Sequence, residues 1–286
     1  MQTLGLIAEL RETIHDWRAG GDRIAFVPTM GNLHDGHLRL VDEARCQADR
    51  VVVSVFVNPY QFGPSEDFGG YPRTPTEDAS KLNAVGVDLL YLPEVAEIYP
   101  DDPARMAFAE LPGLSEDLCG IFRPGHFRGV ATVVLKLLNQ VQPDLAVFGE
   151  KDYQQLTIIR RMVRDLDLPV EIRGVPTVRE PTGLAMSSRN AYLSEDDRAT
   201  AGLLYAVLCQ VAEAMHLGCR NFSMIEVQQT TALTEAGFKV DYFAIRRQED
   251  LLMPRPEDAR LVVLVAARLC RTRLIDNLKV CLDHPF

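Results

Sequence analysis

IAFVPTMGNLHDGHLRLVDEA, Ile24 to Ala44, is the stretch on which the fold turns. It opens on an apolar run, Ile24–Val27, and ends in a segment where Leu40, Val41 and Ala44 fall on one helical face. A short strand without polar alternation is one buried on both faces, as parallel strands covered by helices are. Between the two lies Pro28-Thr29-Met30-Gly31-Asn32-Leu33-His34-Asp35-Gly36-His37-Leu38. His34 and His37 are three apart, so at a helix start they share a face that meets the positive end of the dipole and its free N–H groups. Two imidazoles there suit a polyphosphate, and Gly31 and Gly36 let a nucleotide lie against the backbone. A surface helix carrying two histidines would read the same in isolation; the position after a first parallel strand, where open α/β sheets bind ligands, favours the functional reading.

Outward from this stretch the same alternation continues. Val51–Val57, Leu89–Leu92, Leu145–Phe148 and Val170–Val175 are further strand candidates. A helix is clearest where Val130, Val133, Val134, Leu137, Leu138 and Val141 keep helical spacing. Right-handed crossovers then give a doubly wound parallel α/β sheet, Rossmann-like, expected over 1–177. Beyond it the pattern changes. Ser194 and Asp197 read as a capping box opening a helix with Leu204, Leu208, Val211 and Met215 on one face, and Ser223 with Glu226 repeats the device. Phe238, Val240, Tyr242 and Ala244 alternate like a half-buried strand, with Leu261–Val265 and Leu274–Leu278 as further strand material. The expectation is a second, smaller α+β domain over 178–280 and a loose tail over 281–286.

The 286 residues are 47% hydrophobic and 24% charged, which excludes a disordered or collagenous chain. Thirty basic against forty acidic residues give a formal charge of −10, unlike a general nucleic-acid binder. The six cysteines show neither CxxC nor finger spacing, so reduced thiols and a cytoplasmic location are expected. No apolar run approaches the ~18–20 residues of a membrane span, and the start does not read as a signal peptide.

Neither GxGxxG nor GxxxxGK[ST] occurs. Two other anion-friendly loops do. Gly149-Glu150-Lys151-Asp152, followed by Gln154 and Gln155, comes after a strand; Lys151 offers a point charge for phosphate, although the segment equally resembles an acidic helix start. Met186-Ser187-Ser188-Arg189-Asn190 offers hydroxyls and a guanidinium, or simply a polar loop. Asn58-Pro59-Tyr60-Gln61-Phe62 puts the Gln61 amide at the end of the second strand. Glu77 and Asp78 are either capping groups or holders of Mg²⁺ through water. His126, between Arg123 and Arg128, adds positive charge to a pocket or to the surface.

PTMGNLHDGHL, FVNPYQFG, YPRT, GHFRGVATVVLKLLN, FGEKDYQQL and GLAMSSRN stand in this order. With these strings the chain resembles the pantothenate synthetase family from about Arg23 to Val280, within the HxGH nucleotidyltransferase-like superfamily. The resemblance implies an ATP-dependent ligase that condenses pantoate with β-alanine, through a pantoyl adenylate, to pantothenate, AMP and pyrophosphate. It implies an ATP site of Met30, Gly31, Asn32, Leu33, His34, Asp35, Gly36 and His37, with Gly149, Glu150, Lys151, Asp152, Val178, Met186, Ser187, Ser188 and Arg189. His34, His37 and Lys151 would be catalytic, His37 as the acid. Gln61 would hold pantoate and lie near β-alanine, Gln155 would hold pantoate, and Asp78 with Glu77 would support Mg²⁺. A homodimer and a smaller domain acting as a lid are implied as well, with neither nucleic acid nor membrane as partner. The alternatives are a nucleotidylyltransferase in which a phosphate attacks, an ATP-sensing module without turnover, and a tRNA synthetase, disfavoured because the acidic chain has little room for an anticodon domain.

Overall fold

The computed structural model describes residues 1–64, 66, 68–101 and 105–282. They divide into two compact units: Met1–Glu150 with Ile158–Pro176, and Lys151–Thr157 with the chain from Thr177 onward. Lys151–Thr157, expected in the larger domain, group with the smaller one.

In the first unit the elements run β1 (Gln2–Leu4), α1 (Ile7–Ala19), β2 (Ile24–Thr29), α2 (Asp35–Gln47), β3 (Arg50–Val55), α3 (Pro75–Ala84), β4 (Leu89–Tyr91), α4 (Val95–Ile98), α5 (Cys119–Phe122), α6 (His126–Val141), β5 (Leu145–Gly149), α7 (Tyr153–Asp165) and β6 (Glu171–Val175), the division between units falling inside α7. The sheet order is β1-β4-β3-β2-β5-β6, parallel at every pairing. From β2 the chain moves to β3 on one side and later returns to β5 on the other. The carboxyl ends of β2 and β5 therefore flank the switch point, where doubly wound sheets open a crevice for ligands. Ile24, Ala25, Phe26 and Val27 are all fully buried, as their lack of alternation requires. The edge strand β1 has no counterpart among the expected strands: three largely exposed residues pair with Leu89–Tyr91 and are too short to show a period.

The second unit contains α8 (Glu195–Ala201), α9 (Leu203–His216), α10 (Phe222–Glu235), β7 (Lys239–Arg247), β8 (Arg260–Leu269) and β9 (Thr272–Cys281). The three strands form one antiparallel sheet whose apolar face, with Val263, Val265 and Ala267, packs on Leu204, Leu208, Val211 and Met215. Ser194 caps α8 as expected, its Oγ accepting from the Asp197 N–H. The single helix expected there is two, meeting at Gly202, where a Cβ would stand 2.6 Å from the Thr182 carbonyl oxygen. The cap of α10 is Asn221, not Ser223, and Glu226 instead accepts from the Ile245 N–H and Arg246. Cys281 closes β9, and buried Leu282 donates its N–H to the Ala259 carbonyl, so the expected tail does not begin at 281. Residues 283–286 of that tail lie outside the described residues. Among the described residues no helix is long and apolar enough to cross a membrane.

Candidate active site

The loop after β2 is built by backbone conformation and held by one helix. Thr29 Oγ1 donates to the Ser54 carbonyl and accepts from the Gly31 N–H. Gly31 and Asn32 then take positive φ in succession, 79° and 51°. A Cβ on Gly31 would meet Val55 Cγ1 at 2.9 Å, so glycine is required by space as well as by φ. From α3, Asp78 accepts from the Asn32 and Leu33 N–H groups at 2.9 and 2.8 Å, one on each carboxylate oxygen. Lys81, one helical turn along, donates to the Leu33 carbonyl at 2.7 Å.

That loop delivers His34 to the N-cap of α2. His34 Nδ1 accepts from the Gly36 N–H at 3.1 Å, and His37 Nδ1 accepts from the His34 N–H at 3.3 Å, a reciprocal capping box. Backbone N–H groups only donate, so both Nδ1 atoms carry lone pairs. A neutral ring so held bears its proton on Nε2. The two ring centroids lie 4.1 Å apart. Two imidazoles so held at the positive end of a 13-residue helix favour phosphate oxygens.

Beside the loop, Gln61 ends a short 3-10 turn, Pro59–Gln61, and its Nε2 lies 2.9 Å from Met30 Sδ. The amide expected for an organic acid therefore abuts the loop expected for ATP. Sequence reasoning did not assign roles to the residues that hold Gln61. Its side chain accepts from Asn58, and its main-chain oxygen faces His126 Nδ1 at 2.7 Å and Arg123 Nη2 at 3.4 Å. Arg123 grips Glu66 through two nitrogens, each at 2.6 Å. Burial pushes the Glu66 carboxyl up, but hydrogen bonds and charge from Arg123 outweigh it and hold the group below its ordinary value. His126 is buried rather than on the surface, its Nδ1 against the Gln61 carbonyl. The available signal was the burial expected of an amide and a histidine flanked by apolar strand and helix residues.

The expectation of a magnesium ion held by Asp78 and Glu77 does not fit. Asp78 is 1% exposed with both oxygens engaged by the loop, and Glu77 is exposed beside it. Among the described residues no three His, Cys, Asp or Glu side chains are grouped to hold a metal. Asp78 positions the loop instead.

Gly149 and Glu150 end the first stretch of the larger unit, and the second unit carries Lys151, Asp152, Gln155, Val178 and Met186–Arg189. Glu150–Asp152 form a 3-10 turn, and Lys151 Nζ lies 3.9 Å from Asp152 Oδ2. The Lys151 carbonyl accepts from Asn277 Nδ2 at 2.9 Å, so β9 fixes the backbone from which Lys151 projects. Gln155 follows on the first turn of α7, partly exposed. Val178 and Met186 are brought together by a hairpin: the Met186 N–H donates to the Val178 carbonyl, Arg179 bridges Ala185, and the Glu180 N–H donates to Leu184. Ser187 Oγ then caps a 3-10 turn by accepting from the Arg189 N–H. Arg179 pairs with buried Asp276 on β9 at 2.6 Å and lies over the Tyr205 ring, securing the hairpin.

Residues 2–279 match the family model described as pantoate-beta-alanine ligase. Among curated relatives, the pantothenate synthetase of Methylococcus capsulatus is 60% identical over 99% of each chain. That of Shewanella amazonensis is 53% identical over 97% of this chain and 99% of its own. A crystal structure of pantothenate synthetase from Thermus thermophilus superimposes with a TM-score of 0.90 at 47% identity, covering 97% of this chain and 99% of that one. Another, of the ligase from Francisella tularensis complexed with beta-gamma ATP and beta-alanine, gives 0.79 at 33% identity over 97% of each chain.

Proposed function

Because the chain belongs to the pantoate-beta-alanine ligase family, we propose that it forms its amide in two steps through a pantoyl adenylate. A pantoate carboxylate oxygen attacks the α-phosphorus of ATP, and the bond to pyrophosphate breaks. The β-alanine amine then attacks the acyl carbon, AMP leaves, and the amine proton is lost to give pantothenate. ATP and β-alanine are the ligands with which the Francisella ligase was crystallised.

In this reading no side chain acts as nucleophile. In-line positioning and neutralisation of charge supply the acceleration. His34 and His37 donate from Nε2 to phosphate oxygens, so His37 acts as a hydrogen-bond donor whose acidity rests on that one proton. Lys151 offsets charge building on the departing pyrophosphate. Met30–His37, Gly149–Asp152, Val178 and Met186–Arg189 hold ATP, with Val178 at the adenine. Gln61 and Gln155 hold pantoate, and Gln61 lies near β-alanine. No step is routed through a protein-bound magnesium ion, since Asp78 and Glu77 do not form a site for one. A cytoplasmic homodimer built through the larger domain belongs to the same reading.

The observation that carries it is the reciprocal capping of His34 and His37, which holds two imidazoles at the start of α2 beside the amide of Gln61. The test is pyrophosphate release from ATP with pantoate present or omitted, followed by addition of β-alanine and detection of the amide by mass. Release that waits for β-alanine would exclude the adenylate; release prompted by a phosphate acceptor in place of pantoate would favour a nucleotidylyltransferase.

A further inference from the structure

Gln61 is 7% exposed, and an amide can turn either its oxygen or its nitrogen to a ligand. Which way it turns is fixed by groups that have no such freedom. The Gly129 carbonyl only accepts, and it lies 3.1 Å from Asn58 Nδ2; the Tyr60 N–H only donates, and it lies 3.3 Å from Asn58 Oδ1. These two backbone groups determine the orientation of Asn58, itself 1% exposed. Tyr99 adds its hydroxyl proton to the same Oδ1 at 2.9 Å. The remaining hydrogen of Asn58 Nδ2 points at Gln61, so the Gln61 atom facing it, at 3.1 Å, is Oε1. With the oxygen so engaged, Nε2 is the atom left on the side of Met30, whose thioether is a weak acceptor.

Resting on the reading that Gln61 contacts pantoate, we infer that Asn58 and Tyr99 are positioning residues that lock the Gln61 amide with its NH₂ group toward the substrate. The substrate face at this point is then restricted to acceptor atoms, the carboxylate or hydroxyl lone pairs of a small organic acid. A substrate presenting only an ammonium or a blocked donor there is refused. Close approach makes the lock possible: a Cβ on Gly129 would stand 2.1 Å from the Tyr60 carbonyl oxygen, so only glycine there lets the helix bring the Gly129 carbonyl to Asn58. The main chain of Gln61 is pinned separately by His126 and Arg123, which leaves the amide rotation as the property Asn58 and Tyr99 govern.

Gln61→Glu separates the two possible polarities in the full-length enzyme. The glutamate keeps an oxygen for Asn58 and replaces the substrate-facing NH₂ by a second oxygen. The pantoate KM of pyrophosphate release is expected to rise at least about fiftyfold, with the ATP KM and the melting temperature near wild type. Lowering the pH should recover part of the loss as the new carboxyl regains a proton to donate, which a merely structural defect would not do. Tyr99→Phe, which keeps the ring, should raise the pantoate KM several-fold and leave the ATP KM unchanged. A Gln61→Glu enzyme with a wild-type pantoate KM overturns the inference, whether or not its melting temperature falls. Absence of pantoate-dependent pyrophosphate release from the wild-type protein would instead overturn the reaction itself.

Discussion

Asp78 accounts for more of the ligand loop than either histidine does, because each of its oxygens takes up a backbone donor that would otherwise be unsatisfied at the turn of Asn32 and Leu33. Asp78→Asn replaces one acceptor by a donor that faces another donor. About 1–3 kcal/mol of stability should be lost to the unsatisfied N–H, and the ATP KM should rise, because the loop that carries His34 is no longer held. Thermal unfolding and initial rates measure the two effects. Excess magnesium should not restore either one; recovery by added metal would show that Asp78 is a ligand after all. For His37→Ala the expectation is different: the fold persists while pantoate-dependent pyrophosphate exchange falls by a factor on the order of 10²–10⁴. Wild-type exchange in that variant would remove His37 from the reaction. The residue identities at this site were legible in the chain because imidazoles, amides and a lysine follow apolar strands. Their tautomers and amide orientations were not, since those depend on backbone groups such as the Gly36 N–H and the Gly129 carbonyl, which every sequence contains.

Helix α6 shows how an element transmits position to the site. Its apolar positions are buried as their spacing requires, but its place against the Pro59–Gln61 turn is set by Gly129. Gly129→Ala puts a methyl group where the Tyr60 carbonyl stands, so helix or turn must shift. Unfolding should show a loss of about 1–3 kcal/mol or more, and the surviving enzyme should lose pantoate affinity in particular. Ser194→Ala offers the contrast: it removes only the cap of α8, should cost about 1 kcal/mol, and should leave both substrate KM values alone. If the two variants shift the pantoate KM equally, the helix contact is not what aligns the turn. Strands β2 to β5 could be read from apolar runs, since burial on both faces leaves no other pattern, whereas β6, a partly exposed edge strand, is buried only at Val175. β1 could not, being a three-residue edge, and the start of α10 was misplaced because Ser223 and Glu226 match the capping pattern while Asn221 supplies the accepting oxygen. The break between α8 and α9 likewise follows from a contact, Gly202 against Thr182, that only the folded chain contains.

At the scale of the whole molecule, stability should form a plateau bounded by groups whose proton affinities differ between the folded and unfolded chain. Glu66 is held below its ordinary value of 4.5 by Arg123 despite burial, and Asp165 lies below its 3.8 through its hydrogen bond with Arg161. A depressed carboxyl binds fewer protons when folded, so its contribution is complete above the unfolded value and is lost as pH falls below it. Tyr91 and Tyr99 are shifted the opposite way, since burial disfavours their phenolates and raises both well above the ordinary value of 10.0. The folded chain keeps those protons where the unfolded chain has lost them, so stability declines as pH rises past 10.0. Urea unfolding across the pH range should therefore show an acid limb and an alkaline limb. Glu66→Gln should flatten part of the first, and Tyr99→Phe part of the second, because neither replacement can titrate. The Tyr99→Phe slope above pH 10.0 is the decisive quantity. If it matches the wild-type slope, Tyr99 ionises as readily in the native protein as in the denatured one, and its hydroxyl does not donate persistently to Asn58.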